Sequence, residues 1–217
     1  IANTLNYLDI RTVIVSCGTC MDQLLKYEFE RIFPGCRLLD IHEYLMEKGM
    51  TRAGAIFPGH GVEGTLNKAR GGGRAPEDSG IQYLYHDPCH SPMKTHAPLK
   101  VASSLLCQPV TLTDRCCGEA GTLGTSRPDI ASQLRYRKEE SLVQGIQALT
   151  GRDRAHGDVK LITTCPACLQ GLAKYADGTG LSTEYIILEL VRQLLGEGWD
   201  KQFLDRVLDG GIERVLL

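Results

Sequence analysis

Two cysteines stand side by side at Cys116 and Cys117, and Gly118 follows them directly. Adjacent cysteines can hardly bridge each other, because a disulfide needs its two Cβ atoms to face one another at close range. Neighbouring side chains on a strand point to opposite faces, so the pair does not suit a strand core either. A turn lets both thiols point the same way. Gly118 lets the backbone approach a bound group closely, although a plain turn glycine explains it nearly as well.

Cys165 and Cys168 form a C-x-x-C pair, Cys17 and Cys20 form another, and Cys89 sits within "HDPCH". Residues three apart lie one helical turn from each other, so a C-x-x-C at a helix N-terminus aims both thiols at one site. The orphan N–H groups and the dipole there stabilise thiolate, the form that binds metal. Five thiols therefore share one stretch: Cys89, Cys116, Cys117, Cys165 and Cys168. Iron–sulfur clusters ordinarily take four cysteine ligands, and zinc sites also take four. Either way one thiol is in surplus, unless the cluster is unusual.

The elements that must position these thiols alternate between strand and helix. "RTVIVSC" (11–17), "RLLDI" (37–41), "IQYLYHD" (81–87), "PVTLT" (109–113) and "VKLITTC" (159–165) read as strands. Helices are expected over 19–33, ended by Pro34 and Gly35, and over 42–49, 97–107, 127–150 and 166–176. "EYIILELVRQLLG" (184–196) reads as a strand turning into a helix, and 199–217 as a helix with a tail. Residues 54–80 are rich in Gly and charge without a sustained period, and read as a linker or mobile loop.

Two passages repeat one order, strand, C-x-x-C, helix, strand, helix: "VIVSCGTC…LLDIHEYL" and "LITTCPAC…EYIILELV". The expected fold is α/β, with two pseudo-repeated layered halves of mostly parallel strands and the first half truncated. The expected division is 1–53 as the closing part of the first copy, 54–80 as linker, and 81–217 as the complete second copy. Ligands in such folds gather at the carboxyl ends of strands, where Cys17, Cys89, Cys116 and Cys165 fall.

Composition narrows the class. Of 217 residues, 42% are hydrophobic and 23% charged, which suits a packed core. A net charge of −2 gives no general footprint for nucleic acid. No apolar run approaches the roughly 20 residues of a membrane helix, and no signal peptide is apparent. The chain begins at Ile1, not Met, and reads as a piece of something longer. Nine cysteines among regular elements favour metal or redox chemistry in a reducing compartment over a disulfide scaffold.

The run "HDPCH…CCG…CPAC" resembles the CCG-type cysteine-rich domain of the heterodisulfide reductase B subunit and the glycolate oxidase iron–sulfur subunit. The wider wording, from "TVIVSCGTC" to "GGIERVLL", resembles the C-terminal segment of large bacterial FAD-linked oxidases. The resemblance implies that Cys89, Cys116, Cys117, Cys165 and Cys168 are ligands, with Gly118 beside them, of a [4Fe–4S] cluster that in some relatives is non-cubane. A related domain elsewhere holds zinc. It also implies FAD in an upstream domain, flavin and ferredoxin-like domains of the same longer protein as partners, and a cytoplasmic location, free or peripheral on the inner membrane. The interval from Cys89 to Cys116 is shorter than usual. That from Cys117 to Cys165 is longer, with "GRDRAHG" (151–157) as the inserted loop. Cys17 and Cys20 match only the closing pair of a first copy and form an incomplete second site.

Three functions remain open from the residues: an electron-transfer module, a structural zinc domain, and a thiol–disulfide oxidoreductase. The last leaves the double cysteine unexplained. Cys36 and Cys107 belong to no motif and read as core. His86 and His90 either shape the "HDPCH" turn by hydrogen bonding, the favoured reading, or contact the metal group. His42, His60, His96 and His156 carry no spacing signal. Arg115, Arg135 and Arg137 either offset clustered thiolates or, for the last two, lie on a solvated helix face.

Overall fold

The computed structural model describes residues 7–51, 54–55, 80–119 and 122–210. Four strands build the main sheet: β5 (Gln82–His86), β6 (Val110–Thr113), β7 (Val159–Thr163) and β8 (Ser182–Tyr185). They run in the order β6-β5-β7-β8, and all neighbours are parallel. A second parallel pair joins β1 (Thr12–Val15) to β2 (Arg37–Asp40). The α/β class with parallel sheets expected from the β-branched runs is the class observed.

Alternation along the central strands divides the core into two layers. Tyr83, Tyr85 and Ile162 face one way, onto α4 (Pro98–Leu106) and α9 (Ile186–Leu195), burying Val101, Leu105, Leu106, Ile186 and Leu190. Leu84 and Leu161 face the other way, onto Leu142 and Ile146 of α6 (Pro128–Thr150) and Leu172 of α7 (Pro166–Ala173). Cys117 and Cys168 belong to that second layer. Each fully buried leucine or isoleucine contributes about 1.5–3 kcal/mol relative to exposure.

The repeat is visible in the backbone. Cys17 is the N-cap of α1 (Gly18–Lys26) at φ −136° and ψ 125°. Cys165 is the N-cap of α7 at φ −129° and ψ 121°. Each follows a strand whose next neighbour in sequence pairs with it in parallel, β1 with β2 and β7 with β8. Each second strand leads into a helix, α3 (Ile41–Glu47) or α9.

Several expectations need correction. The helix expected over 19–33 is two, α1 and α2 (Phe29–Ile32), because Glu28 between them is left-handed at φ +49°. The strand turning into a helix expected over 184–196 is present, with the change at Ile186, where Ile186, Leu190 and Leu194 bury one stripe against the sheet. Residues 54–55, assigned to the linker, form β4 and pair antiparallel with β3 (Met50–Thr51). The expected mobility of the rest, 56–79, lies outside the described residues, as do His60 and the tail 211–217. Two short helices escaped sequence reading, α5 (Leu123–Ser126) and α8 (Ala176–Thr179); α10 (Trp199–Gly210) was expected. Among the described residues, no helix is long and apolar enough to cross a membrane.

The two halves meet through apolar packing, with Leu45, Met46 and Met50 against the layer around Tyr83 and Tyr85, and through polar contacts. Tyr185 donates its hydroxyl to the Ser16 carbonyl at 3.0 Å, and its ring meets His42 edge-on at 5.2 Å. Glu43, fully buried, accepts from the backbone N–H groups of Thr95 at 2.8 Å and His96 at 2.6 Å. Asp22 on α1 pairs with His90 at 2.6 Å and Lys94 at 2.8 Å. Gly18 is the tightest point: a Cβ there would sit 1.6 Å from the His90 carbonyl oxygen.

Candidate metal centre

Three strands deliver the cysteine loops to one place. His86, Thr113 and Thr163 occupy one register row at the ends of β5, β6 and β7. Beyond that row the chain reaches Cys89, then Cys116 and Cys117, then Cys165 at the start of α7. Cys89, Cys117, Cys165 and Cys168 line a single cavity of about 260 Å³, together with Thr19, Pro88, His90, Glu119 and Ala167. Cys116 lies near enough to Cys89 and Cys117 that their charges disfavour its ionisation. The thiols are graded in access: Cys89 is exposed, Cys116 and Cys165 are half-buried, and Cys117 and Cys168 are each 4% exposed.

Local geometry sets the thiol chemistry. The Sγ atoms of Cys117 and Cys168 stand 3.3 Å apart and share a hydrogen bond. That bond, more than the neighbouring His86 and the Glu119 backbone N–H, pulls Cys117 down to about 4 against the opposing effect of burial. Cys165 falls to about 6, chiefly through its hydrogen bond with Cys168 and further through the N–H groups of Cys168 and Ala167. Those are the orphan donors of the first helical turn. Cys168 is pushed the opposite way, by its hydrogen bonds with Cys117 and Cys165 and by burial. The helix terminus therefore favours thiolate at Cys165 alone. Burial raises Cys116, partly offset by the N–H of Gly118 pointing at its sulfur at 3.4 Å. Gly118 is left-handed at φ +76°, which is what requires glycine there; a Cβ would also come within 3.3 Å of Arg135 Cγ.

Two side chains beside the sulfurs were not assigned by sequence. His86 is 2% exposed, and one of its ring nitrogens lies within 4.8 Å of both Cys117 and Cys168 sulfurs. Neither ring nitrogen has a conventional hydrogen-bond partner. The turn-shaping role favoured for it is therefore not what its ring does. His90, by contrast, is held by Asp22 at the junction of the halves. Lys138, fully buried, donates to Thr113 Oγ1 and the Asp114 carbonyl, each at 2.8 Å. Burial lowers it to about 8, while Cys117, Asp114, Cys116 and Cys168 favour its charge. It carries the offsetting charge considered for Arg115, Arg135 and Arg137. Arg115 pairs with Asp114 in the open, and Arg135, half-buried, pairs with Glu119.

The remaining sequence candidates lie elsewhere. Cys17 is half-buried and Cys20 exposed, and neither lines the cavity. Cys17 raises Cys20 by hydrogen bonding and by charge. Cys36 is buried against Phe33 as expected. Cys107 is not core: it is exposed as the left-handed C-cap of α4, at φ +54°. His42 is fully buried, with Asp40 Oδ2 at 2.8 Å from its Nδ1.

Comparison with known proteins agrees with this geometry. Residues 83–173 match the model of the "Cysteine-rich domain" named CCG, so this region carries a CCG-type cysteine-rich domain. Residues 173–217 match "Domain of unknown function (DUF3400)". The chain is 25% identical over 199 residues to an uncharacterized iron-sulfur protein of Methanococcus maripaludis, covering 87% of this chain and 33% of that one. The chain thus spans about a third of the length of that relative. No solved structure matches.

Proposed function

We propose that the chain is the iron–sulfur electron-transfer module of a flavin-dependent dehydrogenase acting on a 2-hydroxy acid of the D-lactate or glycolate type. The convergence of Cys89, Cys117, Cys165 and Cys168 on one cavity, with Cys116 beside them, carries this reading. Soft thiolates suit iron–sulfur clusters, and a bound [4Fe–4S] cluster, cubane or non-cubane, would take and pass on single electrons. FAD and ferredoxin-like centres belong, in this reading, to other domains of a longer cytoplasmic protein, free or peripheral on the inner membrane. Within the chain, 1–53 closes a first copy of the repeat and 81–217 makes up a second. The name of the methanococcal relative supports the cofactor class.

A second reading, structural zinc, is favoured by one observation: His86, Cys117 and Cys168 form a mixed nitrogen–sulfur donor group of the kind zinc takes. Iron, sulfide and zinc content of anaerobically purified protein separates the two. Iron with matching sulfide, and paramagnetic resonance on reduction, is the expected result; stoichiometric zinc without iron overturns the iron–sulfur reading. Cys116→Ser and Cys117→Ser are expected to alter iron content or spectra, and Cys36→Ser and Cys107→Ser to leave both unchanged. A hydroxyl is a poor substitute for a soft thiolate. If neither member of the double cysteine matters, its assignment as ligand fails.

A further inference from the structure

We infer that His86 is a direct ligand, through a ring nitrogen, of a metal held by Cys117 and Cys168, the two most buried thiols of the site. The inference rests on the reading of the cavity as a metal centre and adds a non-cysteine ligand to it.

Burial makes the first case. A buried donor or acceptor without a partner is destabilising, and such groups are rare enough to call for a cause. At 2% exposure neither ring nitrogen of His86 has a conventional hydrogen-bond partner, and the group that its ring stabilises is the sulfur of Cys117. A metal would supply the partner for one of the nitrogens. An apolar residue would fill the same space without the cost if packing were its only task.

Geometry makes the second case. Around a tetrahedral metal with sulfur at about 2.3 Å and imidazole nitrogen at about 2.0 Å, ligand atoms stand roughly 3.5–4 Å apart. The ring nitrogen and the two sulfurs all fall within 4.8 Å of one another, the sulfurs themselves at 3.3 Å. Little movement separates this arrangement from coordination.

Placement makes the third. His86 ends the central strand β5, in register on both sides with Thr113 and Thr163. Its carbonyl accepts from Thr163 Oγ1 at 3.2 Å, which fixes the backbone from which the ring projects. The ring thus comes from the sheet, whereas the thiols come from the loop after β6 and from α7. Ligands from three separate elements can enclose a metal without crowding one another. The two histidines of "HDPCH" also part company here, since His90 is engaged by Asp22.

The test uses the full chain, reduced and metal-free, titrated with Co(II) under anaerobic conditions, with 15N-labelled histidine and pulsed paramagnetic resonance. The expected result is Co(II) bound with thiolate charge-transfer absorption and a strong histidine nitrogen coupling. His86→Gln should lose the coupling and weaken Co(II) binding at least about tenfold, the lower end seen for losing even an outer-sphere partner. His156→Gln, at an exposed histidine, should change neither. His86→Cys should restore affinity with added thiolate absorption, which a purely structural role for the imidazole would not produce. Wild-type protein that binds no Co(II), that binds it without histidine coupling, or that keeps its affinity in His86→Gln overturns the inference. Should His86→Gln fail to fold, the labelled wild type decides alone. Iron and sulfide analysis keeps this apart from the proposed function. Iron-loaded protein without histidine coupling rejects the ligand and leaves the cluster. Iron-free protein that binds Co(II) through His86 rejects the cluster and leaves the ligand.

Discussion

Lys138 shows how one side chain can tune a centre without touching it. Its ammonium is buried, hydrogen-bonded to Thr113 and the Asp114 carbonyl, and close enough to Cys116, Cys117 and Cys168 for their charges to be felt. A nearby positive charge in a poorly screened interior stabilises whichever state of the centre carries more negative charge. Reduction adds negative charge. Lys138→Met is therefore expected to shift the reduction potential of a bound cluster to more negative values, read by anaerobic redox titration with optical detection. A potential that stays put, with iron content intact, would mean that the lysine serves only Thr113 and Asp114. Sequence gave no warning of this residue, which sits in "RKEES" within an outwardly ordinary polar helix. It is buried only because α6 packs across β6, a tertiary fact. His86 was considered in sequence, yet which of two histidines turns inward depends on Asp22, 68 residues from His90.

At the scale of elements, β-branched runs and the two C-x-x-C pairs were enough to read parallel strands, the repeat and the placement of cysteines at strand ends. What escaped was local: the left-handed Glu28 that splits α1 from α2, and the two-residue strands β3 and β4. Neither has a period long enough to register as a pattern. Gly18 escaped too, since its need for glycine comes from His90 across the junction. Gly18→Ala would drive a Cβ into a backbone oxygen that cannot rotate aside. Overpacking of this kind costs about 1–3 kcal/mol, expected as a lower urea midpoint with an unchanged slope. Lys26→Ala, exposed on the same helix, should stay within about 0.5 kcal/mol of the parent. Equal stability of the two variants would show that the halves do not press together at this point.

For the whole molecule, the junction's charges make its strength depend on pH. The hydrogen bond from Lys94, and then that from His90, hold the Asp22 carboxyl below the usual carboxylate range. A carboxyl depressed in the folded state contributes its full stabilisation above the unfolded value, about 3.9. That contribution disappears as pH falls through the lower folded value. Asp22→Asn should accordingly be less stable than the parent at pH 7, with the gap closing as pH drops below the ordinary carboxylate range. Urea midpoints of both proteins from neutral to acid pH provide the measurement. A gap that widens in acid would place the role of Asp22 outside its charge.

The single register row at the ends of β5, β6 and β7 has a consequence for tolerance to change. The cysteine-bearing loops leave the sheet from anchored bases, whereas the chain between those bases travels away from the site and back. Growth along that return path is thereby uncoupled from the centre. The exposed turn at 151–154, between α6 and β7, lies on that path, within the stretch 151–157 expected to be the inserted loop. A few glycines and serines added there should leave metal content unchanged, whereas one residue added between Cys165 and Cys168 should abolish the site. Length is neutral in the one place and decisive in the other. Divergent members of such a lineage would then be held together by strand endings and not by the intervals between their cysteines.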